Sequence, residues 1–110
     1  MLHRRLRHEI NIEAKQITRD DFGGVLETWV PITAEPILAD IHPLSGREFI
    51  AAQSTQAGVT TRITIRHLPG VTAAMRVNHD GALYNIRAVL PDPTLARHIA
   101  LMCETGITRD

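Results

Sequence analysis

Aromatic side chains are nearly missing from this 110-residue chain, which has only Phe22, Trp29, Phe49 and Tyr84. The core must therefore be aliphatic, and a base-stacking surface is not expected. Cysteine is missing but for Cys103, which excludes an internal disulfide and fits a reducing compartment. Net charge is missing as well. Twelve basic and 12 acidic side chains balance, so no global field draws the chain to nucleic acid or an anionic membrane. No apolar run approaches the ~20 residues of a membrane span. The basic N-terminal stretch MLHRRLRHEINIE lacks the apolar region that would make it a signal peptide. These absences predict a soluble protein of cytoplasmic origin with no membrane contact.

Catalytic signals are missing too. His3, His8, His42, His67, His79 and His98 are scattered, with no pair at the spacing of a metal motif. Cys103 has no second cysteine to join, and beside Leu101 it fits a buried small hydrophobe better than a nucleophile, which would need an oriented histidine. Neither Gly23-Gly24 nor Gly70 opens a lysine-bearing helix, so there is no phosphate-binding loop. The expectation is no catalytic residue, no metal, no cofactor and no enzyme. Two basic features stay open. His3-Arg4-Arg5-Leu6-Arg7-His8 suits either phosphate contact or a solvated arm. Arg62 and Arg66 suit either edge protection or a polar subunit contact.

What is present is a β pattern with one helix set into it. At this length one domain is expected, burying about two-thirds of its unfolded surface. Leu6, His8, Ile10 and Ile12 alternate with Arg7, Glu9, Asn11 and Glu13, which predicts a half-buried strand over 6–13. The polar stretch 14–24 reads as a loop ending in the Gly23-Gly24 turn. Strands follow over 25–30 and 37–42, bounded by Pro31 and Pro36. Val59, Thr61, Ile63 and Ile65 alternate with Thr60, Arg62, Thr64 and Arg66, which makes 59–67 the clearest strand. Pro69-Gly70 predicts a turn with Gly70 at positive φ. Asp80-Gly81 predicts a two-residue hairpin between 74–79 and 82–90, with Tyr84, Ile86, Ala88 and Leu90 facing the core. Pro91-Asp92-Pro93 breaks that strand, and 96–104 suits helix or strand equally.

The helix lies in PLSGREFIAAQSTQ, residues 43–56. Ser45 and Glu48 form a capping box, and Leu44 and Phe49 occupy the positions of a hydrophobic staple. Nothing over 47–53 breaks a helix. So short and well started a helix between two strands is either a contact element or a plug for a barrel end, using Phe49 and Ile50. Six to seven short antiparallel strands with this helix on a long inter-strand excursion make a mainly β fold, a small barrel or sandwich.

Five stretches in order carry a family resemblance: LRHEINIE; DDFGGVLETWV; PLSGREFIAAQ running into GVTTRITIR; PGVTAAMRV with the DG hairpin and YNIRAVL; and RHIALMCE. Together they resemble the head–tail joining family of tailed phages, the head closure or stopper proteins. Glu35-Pro36-Ile37-Leu38, where the family often carries tryptophan, and His79, where it often carries an aromatic, depart from that pattern.

The resemblance implies a single structural domain over 1–110, a strand over 96–104, and residence in the virion after synthesis in the host cytoplasm. It implies a ring of copies of roughly six- or twelve-fold order below the portal and adaptor, which retains the packaged DNA and offers the tail a surface. Partners would be the adaptor or portal-side protein, the tail terminator or tail tube, and DNA passing without sequence readout. By the same resemblance the excursion around 42–58 approaches the channel, with Leu44, Ser45, Gly46, Arg47, Glu48, Phe49, Ile50 and Gln53 as its contact segment. Arg19, Asp20, Asp21 and Phe22 form a second interface loop. A tail terminator, another neck ring protein, or a small nucleic-acid-binding barrel are the competing readings.

Overall fold

The computed structural model describes residues 7–53, 58–91 and 97–105. Seven strands and one helix follow in order: β1 (His8–Arg19), β2 (Val25–Pro31), β3 (Ile37–Pro43), α1 (Gly46–Gln53), β4 (Thr61–Arg66), β5 (Arg76–His79), β6 (Ala82–Pro91) and β7 (His98–Thr105). All pairings are antiparallel. The sheet order β2-β1-β3-β4-β7-β6-β5 closes on itself because β5 also pairs with β1. The result is a six-stranded barrel with β2 outside it, so the fold is a barrel and not a sandwich.

β1 makes this closure possible by changing partners along its length. His8 to Ile10 pair with β3, Asn11 to Glu13 with β5, and Glu13 to Arg19 with β2. Its alternation puts Ile10 and Ile12 fully inside the barrel. They meet Ile63 and Ile65 of β4, Val77 of β5, Ile86 of β6 and Leu101 and Cys103 of β7. Each buried isoleucine or leucine stabilises the fold by about 1.5–3 kcal/mol. The core is aliphatic, as the scarcity of aromatics requires.

The turns behave as their residues dictate. Asp80 and Gly81 both take positive φ, 53° and 93°, the pattern of a type I′ hairpin. Gly70 has φ 93° after Pro69. The stretch 96–104, open between helix and strand, holds β7, with Ile99, Leu101 and Cys103 buried on alternate positions.

Two expectations fail and one open alternative closes, each for a physical reason. The stretch 14–24 is not a loop. β1 runs on to Arg19, and 13–19 pair with 31–25 to form a two-stranded arm. Leu90 is not a core residue. A bulge at Arg87 shifts the β6–β7 register by one, so Val89 packs against the core and Leu90 is exposed. Arg62 and Arg66 do not guard an edge, because β4 lies between β3 and β7; Thr64, expected outside, is buried. The N-terminal basic run up to Leu6, the end of the helical stretch beyond Gln53, and Asp92-Pro93 lie outside the described residues.

Candidate functional site

Two elements leave the barrel: α1 on its excursion and the β1–β2 arm. On the excursion, the Ser45 N–H donates to Glu48 Oε1 at 3.0 Å and the Glu48 N–H to Ser45 Oγ at 3.3 Å. This is the capping box. The Phe49 N–H then bonds the Ser45 carbonyl at 2.7 Å, closing the first turn. Glu48 also reaches back to the barrel, accepting from His42 Nε2 at 3.2 Å and from the Arg62 guanidinium at 3.4 Å. The Ser45 amide, the His42 ring and the Ser45 hydroxyl, in that order, with Arg62 behind them, hold its carboxyl at about 2, below the ordinary 4.5.

The far end is tied by Gln53, whose amide accepts from the Gly58 N–H and donates to the Val59 carbonyl, both at 2.8 Å. Ser45, Glu48 and Gln53, expected as contact residues, therefore hold the helix in place. No residue of α1 is buried, so it does not plug the barrel. Phe49 is 40% and Ile50 72% exposed, with Arg47 and Gly46 exposed beside them and Leu44 half-buried. His42 and Arg62 went unnoticed as partners of Glu48, because the links run from the helix to two different strands, across six and 14 residues of chain.

The arm is held at its base only. Glu13 of β1 is buried, with Arg76 Nε at 2.8 Å from one carboxylate oxygen and Asn78 Nδ2 at 3.2 Å from the other. The Arg76 guanidinium lies 4.3 Å from the centre of the Trp29 ring, and Lys15 Nζ 5.5 Å from it, which is cation–π range. Sequence reasoning missed this Glu13–Arg76–Trp29 anchor, whose members are far apart in the chain. Beyond it every residue from Lys15 to Asp20 is exposed. Ile17 is 60% exposed, and Val25, Leu26 and Val30 are also exposed large hydrophobics.

At the tip Asp20 Oδ1 accepts the N–H groups of Phe22 at 2.9 Å and Gly24 at 2.7 Å. Gly23 takes φ 83°. This turn holds Phe22 out into solvent at 95% exposure. Of the four residues expected there, Asp20 builds the turn and Arg19, Asp21 and Phe22 are presented. A hint was available: a strand over 25–31 directly after a glycine turn calls for an antiparallel partner of equal length before it.

Nothing in this geometry has the form of a catalytic centre. Cys103 is buried, its thiol pushed up to about 12 by loss of solvent, which keeps it from acting as a thiolate. Among the described residues no three histidine, cysteine or acidic side chains are grouped to hold a metal. His8 and His79 meet edge to face at 5.2 Å. What the arrangement offers is surface.

The chain belongs to the phage head completion protein family, whose profile it matches over residues 1–106. It is 24% identical over 107 residues to head completion protein gp7 of Enterobacteria phage HK97, spanning 93% of this chain and 94% of that one. The solution structure of protein SF1141 from Shigella flexneri 2a is similar at 28% identity and TM-score 0.79, covering 99% and 100% of the two chains. A chain in the virion of a native gene transfer agent particle shares the fold at 17% identity and TM-score 0.62, covering 94% and 98%. The family is one of structural virion proteins and not an enzyme family. The chain's role is structural, in the connector between phage head and tail.

Proposed function

We propose that this chain is the head closure, or stopper, component of the head–tail connector. Copies form a ring below the portal and adaptor, keep packaged DNA in the head and give the tail its attachment surface. The observation that carries this reading is a closed barrel with two outward elements whose exposed apolar side chains have no role in its own core. On the excursion, Arg47, Phe49 and Ile50 face the channel or the next subunit. On the arm, Asp21 and Phe22 reach the neighbouring ring, on the adaptor or tail-terminator side. DNA passes through the lumen without base contacts, and the balanced charge of the chain suits that task.

The test is electron microscopy of lysates from a phage carrying a nonsense mutation in this gene. Complete tails lying apart from heads, many of them empty, are expected. Heads that keep their DNA beside tails of uncontrolled length would instead assign a tail-terminator role. At the residue level, Arg47→Ala with Phe49→Ala should leave the barrel folded and yield heads that leak DNA or fail to join tails. Normal titres from that variant would remove the excursion from the mechanism.

A further inference from the structure

The arm carries two open strand edges. The Ile32 N–H donates to the Ile12 carbonyl at 2.8 Å, and the Asp20 N–H to the Gly24 carbonyl at 2.9 Å. The register between these points runs without a shift. Even-numbered residues therefore exchange the bonds of the arm's own ladder. Val25, Glu27 and Trp29 on β2, and Lys15, Ile17 and Arg19 on β1, turn their N–H and C=O groups to opposite outer sides of the ribbon. Among the described residues no strand lies against either side, since β5 leaves β1 at Glu13. The β2 edge has high β propensity and carries no bulge, and its one proline, Pro31, sits at the base. An edge of this kind is a template for another strand.

We propose that copies of this chain join through these edges. β2 of one copy pairs antiparallel with 15–19 of β1 in the next. This rests on the ring reading above and names the contact that would build the ring. Two observations select a second copy as the occupant. The open edges belong to different strands that run in opposite directions, so rotation about an axis along the arm brings β2 beside the next β1 in antiparallel sense. Every copy then uses both edges, in a head-to-tail contact that can close into a ring. Charge is complementary as well, with Arg19 on the β1 edge and Glu27, 3.6 Å from Lys15 of its own chain, on the β2 edge.

The experiment uses particles assembled from a mixture of Ile17→Cys chains and Val25→Cys chains, since the two positions are diagonal neighbours within one arm, treated with a short bis-maleimide. Cross-linked dimers on a denaturing gel are expected, with particles of either variant alone remaining monomeric; buried Cys103 does not contribute. Adding Glu27→Pro, which deletes an outward N–H and spares the arm's own ladder, should abolish the dimers, while Glu27→Thr should keep them. In unmodified particles the amides of Ile17 and Glu27 should exchange at least ~100-fold more slowly than in the isolated monomer.

Dimers from Val25→Cys alone would overturn the proposal by joining two β2 edges across a two-fold axis. Normal amounts of the protein in particles, with no cross-link between the mixed chains and unchanged exchange, would overturn it and leave the connector reading standing. Absence of the chain from wild-type particles, read by mass spectrometry, would overturn the connector reading and this contact with it.

Discussion

The helix and the arm leave the same barrel but are held in opposite ways. Hydrogen bonds tie α1 down at both ends, through Glu48 and Gln53, and leave a short outer row of Arg47, Phe49 and Ile50. The arm is held at its root by Glu13, Arg76 and Trp29 and then runs about 20 Å (six steps of ~3.3 Å) with both faces and both edges open. A two-stranded ribbon is marginal in water, so one with exposed Ile17, Val25, Leu26 and Phe22 is built to be covered. The helix is a fixed feature of a finished barrel. The arm is a ribbon whose exposed apolar side chains have no cover within the described residues.

The largest expected effect tests the root of the arm. Arg76→Ala leaves Glu13 buried without its cation and uncovers Trp29, and should lower the unfolding free energy by about 3 kcal/mol in urea titrations. Next come the ties of the helix. Ser45→Ala removes the cap and Gln53→Ala leaves the Gly58 amide and Val59 carbonyl unpaired, each at a loss of about 1 kcal/mol. The smallest effect belongs to the arm itself. Phe22→Ser, or Ile17→Thr with Leu26→Thr, should change the stability of the monomer by less than ~0.5 kcal/mol and still prevent joined particles. Losses from the arm sites equal to those from its root and the helix ties would dissolve the distinction.

Acid sharpens it further. The Glu48 carboxyl is held below its ordinary value, so its contribution is fully present above 4.5 and is lost as pH falls through about 2. A carboxyl NMR titration should place its midpoint near 2, and amide exchange over 46–53 should rise on the acid side while the core strands stay protected. A midpoint near 4.5 would mean that the capping box and the His42 link do not hold in solution.

The helix was legible in the sequence because its signals are local. Ser45 and Glu48 are three residues apart, and each reports on the other. The strand over 61–66 and the Asp80-Gly81 turn were legible for the same reason. The arm was hidden because alternation marks a strand only when one face is buried. Lys15, Gln16, Thr18 and Arg19 have neither face buried, so the stretch reads as a polar loop. The bulge at Arg87 left no pattern to read, and Leu90 was assigned to the side that Val89 occupies. Barrel closure through Asn11 to Glu13 against Arg76 to Asn78 joins residues more than 60 positions apart, beyond the reach of periodicity.

The most direct test of the account is to shorten the arm and keep its root. Replacing 17–27 by Asn-Gly joins the hydrogen-bonded pair Gln16 and Thr28 through a two-residue turn and retains Glu13, Lys15, Trp29 and Arg76. The account predicts a folded barrel whose melting temperature moves by only a few degrees, ~4 °C or less, and a phage that accumulates unjoined heads and tails. Joined, infectious particles at normal titre would contradict it.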